Sequence, residues 1–145
     1  MRVGAVAMAT VMLGLVAGCG ADAGSQRPPG VFPSFKADLY AYPQMNTVCV
    51  PGPEGNELTC TTVIDKTLST LHTLRDVIKA RPDADKYHAT LAEIDKVDAA
   101  SEKYQQSHCR GTLSPTCSVL ANEIIGNDAY RILMSEDAPV PGGRG

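Results

Sequence analysis

The stretch LTCTTVIDKTLSTLHTLRDVIKA, from Leu58 to Ala80, decides the fold of this chain. A helix with one apolar face must bury that face against other elements, so the stretch predicts a helical domain. The helix is expected to stop before Pro82, because a residue that precedes proline is disfavoured in the helical region. Apolar residues recur at steps of three and four along it and so share one face: Cys60, Ile64, Leu68, Leu71, Leu74 and Ile78.

Two further helical patterns follow this stretch. The second runs from Asp83, a residue type that caps helices well, to His108. The third begins at Ser114-Pro115, a cap followed by proline at the first helical position. Gly126-Asn127 is a weak point inside the third pattern, since glycine costs about 1 kcal/mol relative to alanine there. Short connections favour antiparallel neighbours, so the sequence predicts an all-α, up-down-up three-helix bundle over residues 58–135.

The segments that flank residues 58–135 lack a helical pattern. Residues 19–35 are predicted to be a flexible tether and residues 36–57 an irregular arm. Six of the ten prolines lie in these two segments, and proline lacks an amide donor. Residues 136–145 are rich in proline and glycine and are predicted to be a disordered tail.

The first nineteen residues carry a different pattern. Arg2 precedes an almost purely apolar run that is too short to span a membrane comfortably, as in a secretory signal. The run ends in Leu15-Val16-Ala17-Gly18-Cys19, which resembles the lipobox of bacterial lipoproteins. The resemblance implies that residues 1–18 are a signal peptide that is removed. It also implies that the Cys19 sulfur receives a diacylglycerol, an anchor of palmitate type.

By this resemblance the remaining chain is an extracytoplasmic domain that is anchored to a bacterial membrane through lipid on Cys19. Each buried methylene adds roughly 0.8 kcal/mol, so two acyl chains hold stably. We favour the cell membrane, although the sequence leaves the choice between an inner and an outer membrane open. The alternatives are an ordinary signal peptide with an incidental cysteine, or an uncleaved anchor.

The four other cysteines are predicted to form two disulfides, because an even set in an exported chain is typical of disulfides. Their spacing lacks the close Cys-x-x-Cys pairs of structural zinc sites. In an up-down-up bundle all four lie at one end, so the sequence does not choose among the three pairings. We favour the crossed set, 60–109 with 49–117, because longer loops give more stabilisation. The four residues are Cys49, Cys60, Cys109 and Cys117.

Arg75 and Asp128 are the charged residues that fall inside apolar stripes, Arg75 in the first and Asp128 in the third. Counted from the cysteine end, they lie within about one turn of the same height, some 6 Å by helix rise. A buried charge needs a partner. The sequence therefore predicts a structural ion pair between the first and third helices.

The other ionisable residues carry weaker signals. Three acids share one side of the second helix and are interpreted as a solvated face, with Asp98 at the edge of the apolar stripe: Asp95, Asp98 and Glu102. No two histidines have the i, i+4 spacing that places two ligands on one helix face, so they are interpreted as surface or boundary residues. They are His72, His88 and His108.

Composition and motifs restrict the function. The formal net charge is −3, and no run of lysine or arginine indicates binding to nucleic acid or to anionic lipid headgroups. No motif predicts catalytic, cofactor-binding or metal-ligating residues, so an enzyme is not expected. We expect a non-enzymatic protein that binds an envelope or incoming protein partner. The alternatives are a carrier of a small apolar molecule between the helices and an enzyme of unknown class.

Overall fold

A computed structural model describes residues 29–41, 48–52 and 55–138 of the 145-residue chain. The described residues contain no strand, which confirms the all-α prediction for this part of the chain. They form five α-helices and a short 3-10 helix between the second and third of them, and residues 48–49 also have 3-10 conformation. These are α1 (Phe32–Ala41), α2 (Glu57–Lys79), a 3-10 helix (Ala84–Tyr87), α3 (His88–Gln106), α4 (Pro115–Ile125) and α5 (Ala129–Asp137).

Several sequence predictions fall outside the described residues. The proposed signal peptide, Cys19 and the tether up to residue 28 are among them. So are residues 42–47 of the predicted arm and residues 139–145 of the predicted tail. Within the described ranges, no helix combines the length and the apolar character needed to cross a membrane.

The two long helices start and end for local reasons. Asn56 caps α2, and its side chain accepts a hydrogen bond of 2.8 Å from the Thr59 amide. The helix ends at Lys79, three residues before Pro82. The α-helical part of α3 begins at His88, later than the predicted Asp83, because the intervening residues form the 3-10 helix.

Helix α4 begins as predicted, with Pro115 in its first turn and Ser114 as its cap. The Ser114 hydroxyl accepts a hydrogen bond of 3.2 Å from the Cys117 amide. We expect Ser114→Ala to lower the free energy of unfolding by about 1 kcal/mol, since an amide at the helix start loses its partner. Urea denaturation followed by circular dichroism measures this. The exposed neighbour Thr116→Ala should change stability by less than about 0.5 kcal/mol, and equal losses would contradict a capping role.

The predicted third helix is two helices rather than one. Gly126 ends α4, and Asn127 stabilises the break from both sides. Its side-chain amide donates to the Ile124 carbonyl at 2.8 Å, and its side-chain oxygen accepts from the Ala129 amide at 3.1 Å. The weak point at Gly126-Asn127 is therefore a true break, and the helix that follows it, α5, packs against α1 and α3.

The segment predicted as tether and arm contains a helix that the sequence analysis missed. Val31, just before α1, and Phe35 and Leu39 within it are buried at four-residue spacing. They bury one side of α1 against α5 and α2. The irregular arm is thus wrong for residues 36–41, and the flexible tether is wrong for residues 32–35. The tail is also shorter than predicted, because α5 runs through Asp137.

The interior of the domain is filled by apolar side chains from every helix. Helix α4 packs against both α2 and α3, while α5 packs against α3 and α1. Burial of such side chains is the main stabilising contribution, roughly 1.5–3 kcal/mol for each large one. Those without any exposed surface are Leu74, Ile78, Tyr87, Ile94, Ile124, Ile125 and Leu133.

Both disulfides join cysteines that are close in sequence. Cys49 pairs with Cys60 and Cys109 with Cys117, so the crossed set that we favoured is wrong. The turn after α3 brings Cys109 close to Cys117 at the start of α4. The Tyr104 hydroxyl donates a hydrogen bond of 3.0 Å to the Cys109 carbonyl, and the Cys109 amide donates one of 3.1 Å to the Tyr104 carbonyl. His108 and Gly111 adopt positive φ angles of 54° and 73°, which returns the chain toward α4.

Candidate functional site

An ion-pair network joins α2 to α3. The Arg75 Nη2 atom lies 2.8 Å from Asp95 Oδ1 and 2.6 Å from Asp98 Oδ2. The other Asp98 oxygen lies 2.8 Å from His72 Nε2. Asp98 therefore receives two partners from α2, and it is the centre of the network.

The environment of Asp98 keeps its carboxyl ionised. Partial burial alone would raise its pKa, but the hydrogen bonds from His72 and Arg75 outweigh burial and lower the pKa below its ordinary value of 3.8. An ionised carboxylate held by a guanidinium group and an imidazole is suited to positioning. It is poorly suited to acid–base chemistry near neutral pH.

The predicted ion pair between Arg75 and Asp128 does not form. Arg75 turns toward α3, whereas Asp128 lies 2.8 Å from Arg131. The prediction assumed one continuous third helix. Because α4 ends at Ile125, Asp128 leaves the helical face and instead precedes α5, where its amide donates to Glu93 Oε1 at 3.2 Å.

Two adjoining clefts lie along the seam between α2 and α3. One has a volume of about 410 Å³ and contains the ion-pair network. The lining of the second is more apolar in proportion, and the two clefts adjoin because they share Ser101 and Gln105. We call them together the α2–α3 groove. Its lining residues are Thr61, Ile64, Asp65, Leu68, His72, Arg75, Asp76, Asp98, Ser101, Glu102, Tyr104, Gln105 and Arg110.

The α2–α3 groove lies on the open side of the helix pair. Helix α4 packs on the buried faces of α2 and α3, whereas the rim of the groove carries exposed residues such as Asp76, Glu102 and Gln105. The acids predicted as a solvated face therefore divide into two kinds. Asp95 and Asp98 bind Arg75, while Glu102 stays on the open rim.

The other histidines do not reach this groove. His88 opens α3 and His108 lies in the turn after it, and both are exposed. Within the described ranges, no group of three or more histidine, cysteine or acidic side chains is arranged to hold a metal ion.

A second cluster of charged groups lies where the sequence predicted a tail. Glu136 accepts hydrogen bonds from the Ala89 amide at 3.0 Å and the Thr90 amide at 3.3 Å, so it caps the start of α3. The Thr90 hydroxyl also donates to Glu136. An acid in the last turn of its own helix is unfavourable, but the amides at the start of α3 compensate.

Asp137 caps the start of α1 in the same way. Its carboxylate accepts hydrogen bonds from the Phe32 amide, from the Tyr87 hydroxyl at 2.7 Å and from Lys86 Nζ at 3.0 Å. Burial would raise the pKa of Asp137, but these donors together lower it. Burial and the adjacent carboxylate raise the pKa of Tyr87 to about 12. We call Glu136 and Asp137 the carboxylate clamp.

Acid should weaken the domain through these carboxylates. The pKa values of Asp98 and Asp137 are lowered on folding, so their stabilisation is complete well above 3.8 and is lost as pH falls through the lower folded values. We therefore expect the free energy of unfolding to fall steeply below about pH 4. Asp137→Asn should reduce that slope, measured by urea denaturation across pH. The exposed Asp38→Asn is the control, and an equal change in slope would contradict the assignment.

Comparison with protein-family models, with curated proteins and with solved structures gave no match for this chain.

Proposed function

We propose that this chain is a lipid-anchored extracytoplasmic protein that binds a protein partner through the α2–α3 groove. The observation that carries the proposal is the open, polar-lined groove between α2 and α3, including a cleft of about 410 Å³. Clefts of a few hundred cubic ångströms with convergent polar groups are the usual form of binding sites.

The disulfides support the proposed location, since such bonds persist in oxidising extracytoplasmic compartments. The lipobox-like motif at Cys19 supports the anchor. Ten residues separate Cys19 from Pro29, a contour length of at most about 35 Å. A lipid on Cys19 would therefore keep Pro29, three residues before the start of α1, within that distance of the membrane surface.

The groove favours a binding protein over the two alternatives. A carrier of an apolar molecule needs apolar space between its helices, whereas apolar side chains fill the described interior. General acid–base catalysis needs a group that exchanges protons near neutral pH, and Asp98, held ionised between His72 and Arg75, does not suit that role.

A photo-cross-linking amino acid at Gln105, on the groove rim, tests the binding role in cells that express the full chain. We expect irradiation to give a discrete adduct with one cellular protein. The same amino acid at exposed Asn122 on α4 should give none. Equal adducts at both positions, or no adduct at Gln105 under conditions where the chain reaches the membrane, would overturn the proposal.

The anchor has a separate test. Cells fed radioactive palmitate should label the wild-type chain, and the label should fractionate with membranes. Cys19→Ser should abolish labelling and leave the full signal sequence uncleaved. Labelling that survives Cys19→Ser would refute lipidation at this cysteine.

A further inference from the structure

We propose that the α2–α3 groove binds a basic peptide segment of the partner, one that presents lysine or arginine side chains. This inference rests on the proposed binding function and names the chemistry of its partner. The charge of the groove carries it. Four carboxylates and two guanidinium groups line the groove, which gives a net charge of −2 with His72 neutral.

The two cations are already paired, so they offer little attraction to an anionic ligand. Arg75 binds Asp98 and Asp95. Arg110 forms a two-pronged ion pair with Asp65, at 2.7 and 3.2 Å. A phosphate-bearing polymer or an anionic lipid surface would meet a negative groove whose guanidinium groups have partners.

Two carboxylates on the groove rim form no ion pair with any described residue. Asp76 lies on α2 and Glu102 on α3, and both are exposed. The ion pair between Arg75 and Asp95 shows which positions of α2 and α3 lie at the same level. Asp76 is next to Arg75, and Glu102 is seven residues beyond Asp95. By helix rise, the two free carboxylates are therefore about 10 Å apart along the groove. That separation lies between the spacings of basic side chains two and four residues apart on one face of an extended segment, about 7 and 13 Å.

The floor of the groove suits the stems of such side chains. Leu68 is half-buried and offers apolar surface beside the charged rim, and it packs over Ile64 and Tyr104, which are buried beneath the groove. Lysine and arginine place their methylene stems on apolar surface while the charged head stays near water and carboxylates. Complementary charge of this kind speeds encounter and selects the partner.

The test uses the full-length lipidated chain in non-ionic detergent. The probe is a fluorescent ten-residue peptide of alternating alanine and lysine, and a peptide of alternating alanine and glutamate is its counterpart. Fluorescence anisotropy measures binding. We expect the lysine peptide to bind and the glutamate peptide not to bind.

Matched variants separate the groove from general charge. Asp76→Asn with Glu102→Gln removes the two free rim carboxylates, and binding of the lysine peptide should weaken about tenfold. Asp38→Asn with Glu123→Gln removes the same charge outside the groove and should weaken binding less than twofold. Because all four residues are exposed, the variants should keep the wild-type circular dichroism spectrum.

Three results would overturn the inference: no binding of the lysine peptide by the wild type, equal binding of the glutamate peptide, or equal losses in the two double variants. Each is distinguishable from failure of the proposed function. A groove that binds a protein of other chemistry would still give the Gln105 adduct in cells, whereas a chain without a partner would give none.

Discussion

Asp137→Ala should lower the free energy of unfolding by about 3 kcal/mol, a large effect for one polar residue near the end of a chain. The Asp137 side chain is only 7% exposed. Its removal leaves the buried Tyr87 hydroxyl and the Phe32 amide without an acceptor, and it leaves Lys86 without its carboxylate. Each buried group that loses its partner costs about 1–3 kcal/mol.

Urea denaturation followed by circular dichroism measures the loss. Asp137→Asn keeps an acceptor and should lose less, and Asp85→Ala on the nearby surface should be nearly neutral. Hydrogen exchange gives a second readout, since release of the Phe32 amide should speed exchange in α1 more than in α2. A loss no larger than that of Asp85→Ala would show that the carboxylate clamp contributes little.

Removal of both disulfides should lower the free energy of unfolding by about 5 kcal/mol. The bonds close loops of 11 and 8 residues, and loop-closure entropy assigns about 2.5 kcal/mol to each. Small domains have total stabilities of roughly 5–15 kcal/mol. The reduced domain should therefore be partly or fully unfolded at about 37 °C. Urea denaturation with and without reductant measures this, and an unchanged midpoint would contradict it.

Peptide mapping tests the pairing itself. Trypsin cleaves after Lys36, Lys66, Arg110 and Arg131. Without reductant, the peptide 37–66 should appear alone and two hydrogens lighter than its reduced form, because it contains both Cys49 and Cys60. The peptide with Cys109 should be joined to 111–131. A single species that contains all three peptides would instead establish a crossed pairing.

The sequence predicted the long helices well and their neighbours poorly. The apolar stripe of α2 and the cap at Ser114 are local patterns, so they could be found without the fold. Helix α1 has only two buried apolar positions, Phe35 and Leu39, and a proline, and its stability comes from contact with α5 and α2. Tertiary contact of that kind leaves no periodic signal long enough to detect.

The charged contacts also depend on tertiary structure and could not be predicted in full from the sequence. The side of α3 that carries Asp95 and Asp98 could be predicted, but their contact with Arg75 depends on the rotation of one helix against the next. The clamp was hidden for another reason. Acids at the end of a helix oppose its dipole, so Glu136 was predicted to lie in the tail. Its stabilising partners are amides at the start of α3, and those of Asp137 include an amide at the start of α1, contacts that depend on the fold.

The carboxylate clamp also determines where a reporter can be attached. It brings the end of α5 against the start of α1, so residues 30 and 137, near the two ends of the described domain, lie side by side. The turn at Gly111 lies beyond the far end of α3, about 28 Å away by helix rise. The space around Gly111 is open within 4 Å, and because its φ of 73° favours glycine, an insertion should keep this residue and follow it. In a chain anchored through Cys19, an epitope inserted at that turn would be displayed away from the membrane.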